Sequence, residues 1–164
     1  MRIPISYVSA AEALQIVKSG DRLFIHGSAQ TPTNLLKELS MQSGRLRDVE
    51  LVFISVLGQI FVDQPGMEDS FNINALFVSE PIRKDVNDGR ADYVSVFLSE
   101  IPELFKRNIL PIDVAIIQVS PPDKHGYCSM GVSVDVARSA VNTAKKVIAQ
   151  VNPNVPRTDR KSVV

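Results

Sequence analysis

Two loops in the sequence carry residue types that could support chemistry on an anionic or carbonyl oxygen. The first is Gly27-Ser28-Ala29-Gln30, which follows an apolar run and precedes a helical pattern. Such a loop can present backbone N–H groups and a helix N-terminus to an anionic oxygen. Close packing of small residues is the alternative interpretation. The loop contains neither G-x-G-x-x-G nor a lysine-bearing P-loop, so nucleotide binding by those routes has no support.

The second loop, residues 120–131, follows the apolar run Val114–Val119. That run is too continuously apolar for a half-exposed strand, and it predicts a strand that is buried on both faces. Pro121, Gly126 and Gly131 punctuate the loop. Because ligands bind beyond the carboxyl ends of parallel strands, we expect this loop to border a site. A proline-braced surface turn is the alternative.

The titratable and nucleophilic residues give weaker signals. His26 ends an apolar strand, where a hydrogen-bonded structural role is expected, and His125 falls in an exposed Pro/Gly turn. Cys128 has no visible Cys/His partner and is expected to be an inert, half-buried thiol, with a nucleophile as the alternative. Ser99 and Glu100 indicate a helix cap, with catalysis by Glu100 as the alternative.

Composition limits the class of protein. The 164 residues are 45% hydrophobic and 22% charged, with a formal net charge of zero, as in an ordinary globular domain. No stretch of Lys and Arg forms a basic face, so nucleic acid and anionic membranes are not expected partners. The sequence has no transmembrane-length apolar run and no signal-peptide pattern, which predicts a cytoplasmic protein. One cysteine allows no internal disulfide and suggests no metal site.

Strand and helix patterns alternate along the chain, which predicts an α/β fold with a mainly parallel sheet and helices on both faces. The predicted strands are residues 22–26, 49–56, 72–78, 93–98, 114–119 and 147–151. The predicted helices are residues 10–19, 34 to about 44, 81–89, 100–106 and 132–144, the last with Ser133 or Asp135 near its start. Residues 57–70 are predicted to be a loop, with a short helical turn inside it as the alternative.

The predicted core and site make further structural demands. We expect five to seven strands and burial of Phe24, Ile25, Leu51, Phe53, Ile116, Ile117, Val147 and Ile148. The loops of residues 27–32 and 121–131 are expected to be solvent-exposed and comparatively mobile.

The end of the sequence has a different character. Residues 152–158 are hydrophilic and predict an extended link, whereas residues 159–164 show no structural pattern. One reverse translation of residues 159–164 resembles a common sequencing-adapter tract. We therefore expect residues 1–158 to form the domain and residues 159–164 to be a non-native tail.

Three separated motifs resemble one known family. They are GDRLFIHGSAQTP, NDGRADYVSVFLSEIPELF and VSPPDKHGYCSMGVSVDVARSAVNTAKKVIAQVNPNVPRT. Together they are similar to the N-terminal domain of the acetyl-CoA hydrolase/transferase family, which includes 4-hydroxybutyrate CoA-transferases. The resemblance covers residues 8–158 and implies the CoA-transferase (NagB/RpiA-like) fold.

The resemblance also implies a division of roles between two domains. A glutamate from a C-terminal domain, absent from this sequence, would form the acyl and CoA thioester intermediates, so residues 1–164 alone should be inactive. Coenzyme A would be a substrate, with no permanently bound cofactor and no metal. The implied partners are an acyl-CoA, a small carboxylate and the missing domain, in a homo-oligomer when full length. The implied site residues are Gly27, Ser28, Ala29, Gln30, Pro121, Gly126 and Gly131.

Several alternatives stay open on the sequence. The first hypothesis is a CoA-transferase that uses acids such as acetate or 4-hydroxybutyrate, with an acetyl-CoA hydrolase as a variant outcome. A domain related to sugar-phosphate isomerases is the second, although the loop around Gly27 supplies only part of a phosphate-binding pattern. A non-catalytic α/β binding module is the third.

Overall fold

The strands form a six-stranded sheet in the computed structural model, which describes residues 7–158. Every pairing between neighbouring strands is parallel, and the strand order is β4-β3-β2-β1-β5-β6. The strands are β1 (Arg22–Ile25), β2 (Val49–Phe53), β3 (Phe71–Ala75), β4 (Ala91–Tyr93), β5 (Val114–Val119) and β6 (Lys146–Val151). The predicted α/β fold with a parallel sheet is confirmed.

The described residues also form five α-helices and three short 3₁₀ turns. The α-helices are α1 (Ala10–Ala13), α2 (Thr33–Met41), α3 (Arg83–Asn87), α4 (Ile101–Lys106) and α5 (Ala137–Thr143). The 3₁₀ turns are Leu14–Ile16, Ser43–Arg45 and Glu80–Ile82. Residues 57–70 contain neither helix nor strand, as predicted.

The sheet is covered on both faces because alternate side chains of each strand point to opposite sides. Leu23 and Ile25 belong to one core, which also contains buried side chains from α2 and the Leu14–Ile16 turn. Phe24 belongs to the other core, with residues of α4 and α5. There its ring meets that of Phe105 edge to face, with centroids 5.9 Å apart. The two layers of helices hold β1 and β5 at the centre of the fold.

The strand order creates a crevice between β1 and β5. After β1 the chain moves through β2 and β3 to β4 at one edge, and it then returns to β5 on the other side of β1. The chain therefore continues towards β2 after β1 and towards β6, on the opposite side, after β5. In open parallel sheets, this switch in strand order is where ligands bind, beyond the carboxyl ends of the strands. The two loops singled out in the sequence both lie there.

Several sequence predictions need correction. β4 is Ala91–Tyr93 and not residues 93–98, because the chain leaves the sheet after one further bond, from Val94 N–H to the Ala75 carbonyl. Ser99 does not cap α4, whose N-cap is Glu100 and has no side-chain bond. Val147 is 43% exposed, in contrast to the predicted burial, because β6 is an edge strand.

The last helix is also shorter than predicted. It begins at Ala137 instead of residue 132, and the Asp135 carboxylate accepts the Ala137 N–H at 3.2 Å. An aspartate near the helix start was therefore a correct expectation. The other seven residues predicted to be buried are buried.

Two observations concern the limits of the described region. Within residues 7–158, no helix has both the length and the apolar character needed to span a membrane. The proposed non-native tail, residues 159–164, lies outside the described residues.

Candidate functional site

The loop after β1 forms the first wall of the crevice and is fastened to the chain that follows β2. The Ser28 N–H donates to the Ser55 carbonyl at 2.8 Å, and the hydroxyls of the two serines are also 2.8 Å apart. Ser28 itself has a positive φ of 51°, a conformation that few residues other than glycine adopt. The loop is therefore held in an unusual shape by its neighbour and does not vary freely.

Gly27 is required by this packing. A Cβ atom at Gly27 would lie 2.5 Å from the Ser55 carbonyl oxygen, which is far inside van der Waals contact and involves a backbone atom. Close packing was the alternative interpretation of the sequence around this glycine. The contact with Ser55 gives a structural reason for it.

Most peptide N–H groups of this loop already have partners. The N–H groups of Ser28, Gln30 and Thr31 bond to the carbonyls of Ser55, Gly27 and Ser28, respectively. Within residues 7–158, the N–H groups of Gly27 and Ala29 make no hydrogen bond. Ala29 is exposed, whereas Gly27 is buried. Of the two residues with a free N–H, Ala29 is therefore the exposed one.

The first turn of α2 is less available than the sequence suggested. The Leu35 N–H donates to Oε1 of Gln150 at 3.2 Å, so the side chain of a β6 residue caps the helix. The helix N-terminus therefore offers fewer free donors to an anion than an uncapped one would.

The loop after β5 forms the second wall and folds back on itself. Asp123 organises its tip, because its Oδ1 accepts the N–H groups of His125 and Tyr127 at 2.8 and 3.0 Å. The Ser129 N–H donates to the Ser120 hydroxyl at 2.9 Å, which joins the two ends of the loop. Pro121 and Gly126 are exposed and lie in the outer part of this wall.

Gly131 brings the two walls together. It is buried with a φ of +69°, and a Cβ atom there would collide with Nε2 and Cδ of the Gln30 side chain. Of the predicted site residues, Gln30 and Gly131 are therefore in direct contact. Gly27, Ser28 and Ala29 precede Gln30 in the first loop. No contact places Gly126 against Gln30, and its Cβ would meet open space.

The predicted exposure of the two loops is wrong for their inner parts. Gln30 and Thr31 are 2% and 7% exposed, and Ser129, Met130 and Gly131 are buried. The reason is the packing of the two walls against each other. The exposed residues of the two loops are Ala29, Pro121 and the tip formed by residues 124–127.

A chain of hydrogen-bonded amide side chains, which was not predicted from the sequence, underlies the site. Gln118 Nε2 donates to Gln30 Oε1 at 3.4 Å, and Gln118 Oε1 accepts from Gln150 at 2.7 Å and from Asn152 at 3.2 Å. Gln118 and Gln150 are register partners on β5 and β6. A polar residue inside an otherwise apolar strand was the available signal, because such a group needs buried partners.

His26 is a structural residue, as expected. It is fully buried, its Nδ1 accepts the Gln118 N–H at 3.3 Å, and its Nε2 lies 2.7 Å from the Ser133 carbonyl. These contacts assign the hydrogen to Nε2, which donates to Ser133. Burial lowers the pKa of His26 below the ordinary 6.5, against the opposing effects of Ser133 and the charge of Asp135. The imidazole is therefore neutral near pH 7.

The remaining candidates lie outside this contact. His125 is exposed at the tip of the second wall. Burial raises the pKa of the Cys128 thiol, which disfavours the nucleophilic thiolate. Glu100 is exposed at the start of α4. Among the described residues, none of these three side chains forms a hydrogen bond with Gln30 or Gly131.

Residues 152–158 do not form the free extended link predicted from the sequence. Val155 is buried, and Arg157 and Thr158 bond to the second wall. We call residues 152–158 the strap. It follows β6 and lies along residues 120–131.

The rest of the described surface offers no competing metal site. Among the described residues, no group of three His, Cys, Asp or Glu is placed to hold a metal ion.

A cavity of about 470 Å³ lies at the amino-terminal ends of β3 and β4, lined by residues that include Phe71, Asp85 and Arg90. That edge is opposite the crevice, because all strands run in parallel.

The comparisons with known proteins agree with this geometry. A succinyl-CoA:acetate/propanoyl-CoA:succinate CoA transferase of Fasciola hepatica is 45% identical over 90% of this chain and 31% of its own length. A 4-hydroxybutyrate coenzyme A transferase of Clostridium kluyveri is 42% identical over 92% of this chain and 35% of its own length. The chain thus spans about a third of the relatives that it matches.

The fold comparison gives the same picture. The crystal structure of RipA from Yersinia pestis superposes with a TM-score of 0.86 at 26% identity, over 96% of this chain and 39% of RipA. The model of the acetyl-CoA hydrolase/transferase N-terminal domain matches residues 5–162. The chain therefore belongs to the acetyl-CoA hydrolase/transferase family and corresponds to its N-terminal domain.

Proposed function

We propose that this domain is the N-terminal part of a CoA-transferase that moves coenzyme A between a small acyl-CoA and a carboxylate such as acetate or 4-hydroxybutyrate. The observation that carries the proposal is the crevice at the switch point. There, the walls after β1 and β5 meet through Gln30 and Gly131, in a chain whose relatives are named CoA transferases.

The proposed reaction proceeds through covalent intermediates on a glutamate outside this chain. The glutamate carboxylate attacks the thioester carbonyl, and the CoA thiolate leaves to give an acyl–glutamyl anhydride. The thiolate then attacks the glutamyl carbonyl and releases the free acid, which leaves glutamyl-CoA. A second carboxylate reverses these steps. The thioester bond is conserved overall, so the exchange requires no external energy source.

The domain would contribute electrostatic stabilisation and shape. Each attack places negative charge on a carbonyl oxygen, and fixed N–H groups stabilise such charge most when water is excluded. The unpaired N–H of Ala29 is the proposed donor. Gly27 packs closely against Ser55 and supports this part of the loop. Ser28 would fix the shape of that wall. The Gln30 amide would line the acyl site, because its Nε2 has no hydrogen bond among residues 7–158.

The outer wall would enclose the substrate. Gly131 sets the position of Gln30 by contact. Pro121 and Gly126 lie in the more exposed part of the loop, and we assign them to the rim. Coenzyme A would bind as a substrate and not as a resident cofactor.

Initial-rate kinetics test this proposal. A full-length protein that joins this domain to the C-terminal part of its relatives should show ping-pong kinetics with acetyl-CoA and a second carboxylate, because a covalent enzyme–CoA intermediate separates the half-reactions. The 164-residue chain alone should show no turnover. Release of free CoA at the same rate without an acceptor acid would indicate a hydrolase instead. Sequential kinetics would contradict the proposed intermediate.

A further inference from the structure

We propose that Arg157 is a positioning residue of the acyl site: it holds the second wall in place and, through Gly131, fixes the amide of Gln30. The inference rests on the proposed function of the site, but the contacts that support it do not. They lie in the strap, which the sequence predicted to be a free link.

The guanidinium of Arg157 binds the second wall at several points. Nη1 donates to the carbonyls of Pro121 and Tyr127, both at 3.1 Å, and lies 3.4 Å from the Ser120 hydroxyl. Nη2 donates to Asp123 Oδ2 at 3.2 Å. These acceptors come from both sides of the loop tip. Three of these contacts come from Nη1 alone, and the contact with Asp123 comes from the second nitrogen, Nη2. The planar fork therefore reaches the carbonyls and the carboxylate together, whereas a lysine has only one nitrogen and would lose part of this set.

The residues beside Arg157 continue the attachment to the inner part of the wall. The Thr158 N–H donates to the Ser129 hydroxyl at 3.2 Å, and the Thr158 hydroxyl donates to the Gly131 carbonyl at 2.9 Å. The buried Val155 side chain lies close to Gly131, since a Cβ atom there would be 2.8 Å from Val155 Cγ1. The strap thus contacts Gly131 through both Thr158 and Val155.

Gly131 transmits this position to the first wall. Its Cα packs so closely against the Gln30 amide that no Cβ atom fits between them. A displacement of the second wall would therefore move Gly131, which packs against Nε2 of Gln30. A misplacement of about 1 Å in a catalytic arrangement can cost on the order of 10²-fold in rate.

The partial exposure of Arg157 indicates that its positioning role does not include a large contribution to folding stability. The Arg157 and Asp123 side chains are 42% and 29% exposed, and ion pairs of that kind add little to stability because water screens them. Loss of Arg157 should therefore leave the sheet folded while it loosens the wall. The effect is expected at the site and not in global unfolding.

The test compares Arg157→Ala and Arg157→Lys with Arg107→Ala, which removes an exposed arginine at the end of α4. Hydrogen exchange in the 164-residue chain is the first readout. The amides of Ser129 and Gly131, which bond to hydroxyls of the wall, should exchange faster in both Arg157 variants. The His26 amide, which bonds to the β5 carbonyl of Ile116, should keep its protection.

Kinetics of the full-length transferase are the second readout. Arg157→Ala should lower kcat by about tenfold or more with a smaller change in KM for the acyl-CoA, because orientation and not binding is lost. Added guanidinium ion should restore part of kcat, and Arg107→Ala should match the wild type. Arg157→Lys should remain impaired.

The outcomes are distinguishable. Unchanged exchange at Ser129 and Gly131 would overturn the positioning role whatever the enzyme does. Faster exchange with wild-type kcat, or an activity loss that guanidinium does not rescue, would overturn the link to the acyl site. A wild-type protein without transferase activity would instead contradict the proposed function, and the exchange result would still decide whether Arg157 holds the wall.

Discussion

Replacement of Gly131 by alanine tests whether the two walls are in contact as described. Gly131 has a φ of +69°, and a Cβ atom there would collide with the Gln30 amide and lie 2.8 Å from Val155 Cγ1. The left-handed backbone costs a residue with a Cβ roughly 1–2 kcal/mol. Overpacking of a well-filled site adds about 1–3 kcal/mol. We therefore expect Gly131→Ala to lower the free energy of unfolding by roughly 2–5 kcal/mol.

Gly126→Ala is the matched control for this prediction. Gly126 lies in the same loop with a φ of +92°, but a Cβ atom there meets nothing within 4 Å. Its substitution should cost only the backbone strain, about 1–2 kcal/mol. Urea unfolding of both variants measures the difference, which reports the steric contact alone. Adding Gln30→Ala to Gly131→Ala should recover part of the loss.

Two results would refute this reasoning. If both glycine variants were equally destabilised, the contact between Gly131 and Gln30 would not exist in solution. If Gln30→Ala gave no recovery, the clash would lie elsewhere. In the full-length enzyme, Gly131→Ala should also reduce kcat by up to about 10²-fold, because Gln30 is displaced.

Three further substitutions test other parts of the account. The lowered pKa of His26 means that the unfolded state takes up its proton first, so stability should fall as the pH drops below 6.5, by up to about 1.4 kcal/mol per pH unit. Urea unfolding across this pH range measures how the free energy of unfolding depends on pH. This dependence should be lost in His26→Gln and kept in His125→Gln. Gln118→Met should lower the free energy of unfolding by about 1–3 kcal/mol or more, because it leaves buried amide groups without hydrogen-bond partners. A stability within error of the wild type would contradict the network. Gly27→Val should prevent folding or lower the melting temperature sharply, because its side chain meets the Ser55 carbonyl; a folded variant that loses only activity would contradict this packing.

The sequence identified the fold well because its strongest signals were local and periodic. The apolar run Val114–Val119 is a fully buried strand with the predicted bounds. Predictions failed where tertiary position overrides local pattern. Val147 is apolar but lies on an edge strand, and residues 94–98 have strand-like composition but leave the sheet after β4.

The site was predictable as a location but not as a set of contacts. Loops that end parallel strands could be placed at the crevice from the order of elements alone. The bond from Gln150 to the start of α2 and the contacts of Arg157 join residues distant in sequence, and no local pattern encodes them. Gln118 offered the clearest missed signal, because a polar side chain in a buried strand needs partners.

Isotope exchange is the most direct test of the proposal that this domain is the N-terminal part of a CoA-transferase whose nucleophile lies outside the chain. The full-length protein is mixed with unlabelled acetyl-CoA and labelled acetate, without a second acid. A glutamyl-CoA intermediate predicts that label enters acetyl-CoA, because free acetate can reverse the first half-reaction. The 164-residue chain should catalyse no exchange. Exchange by the chain alone, or none by a full-length protein that transfers CoA between two acids, would contradict the account.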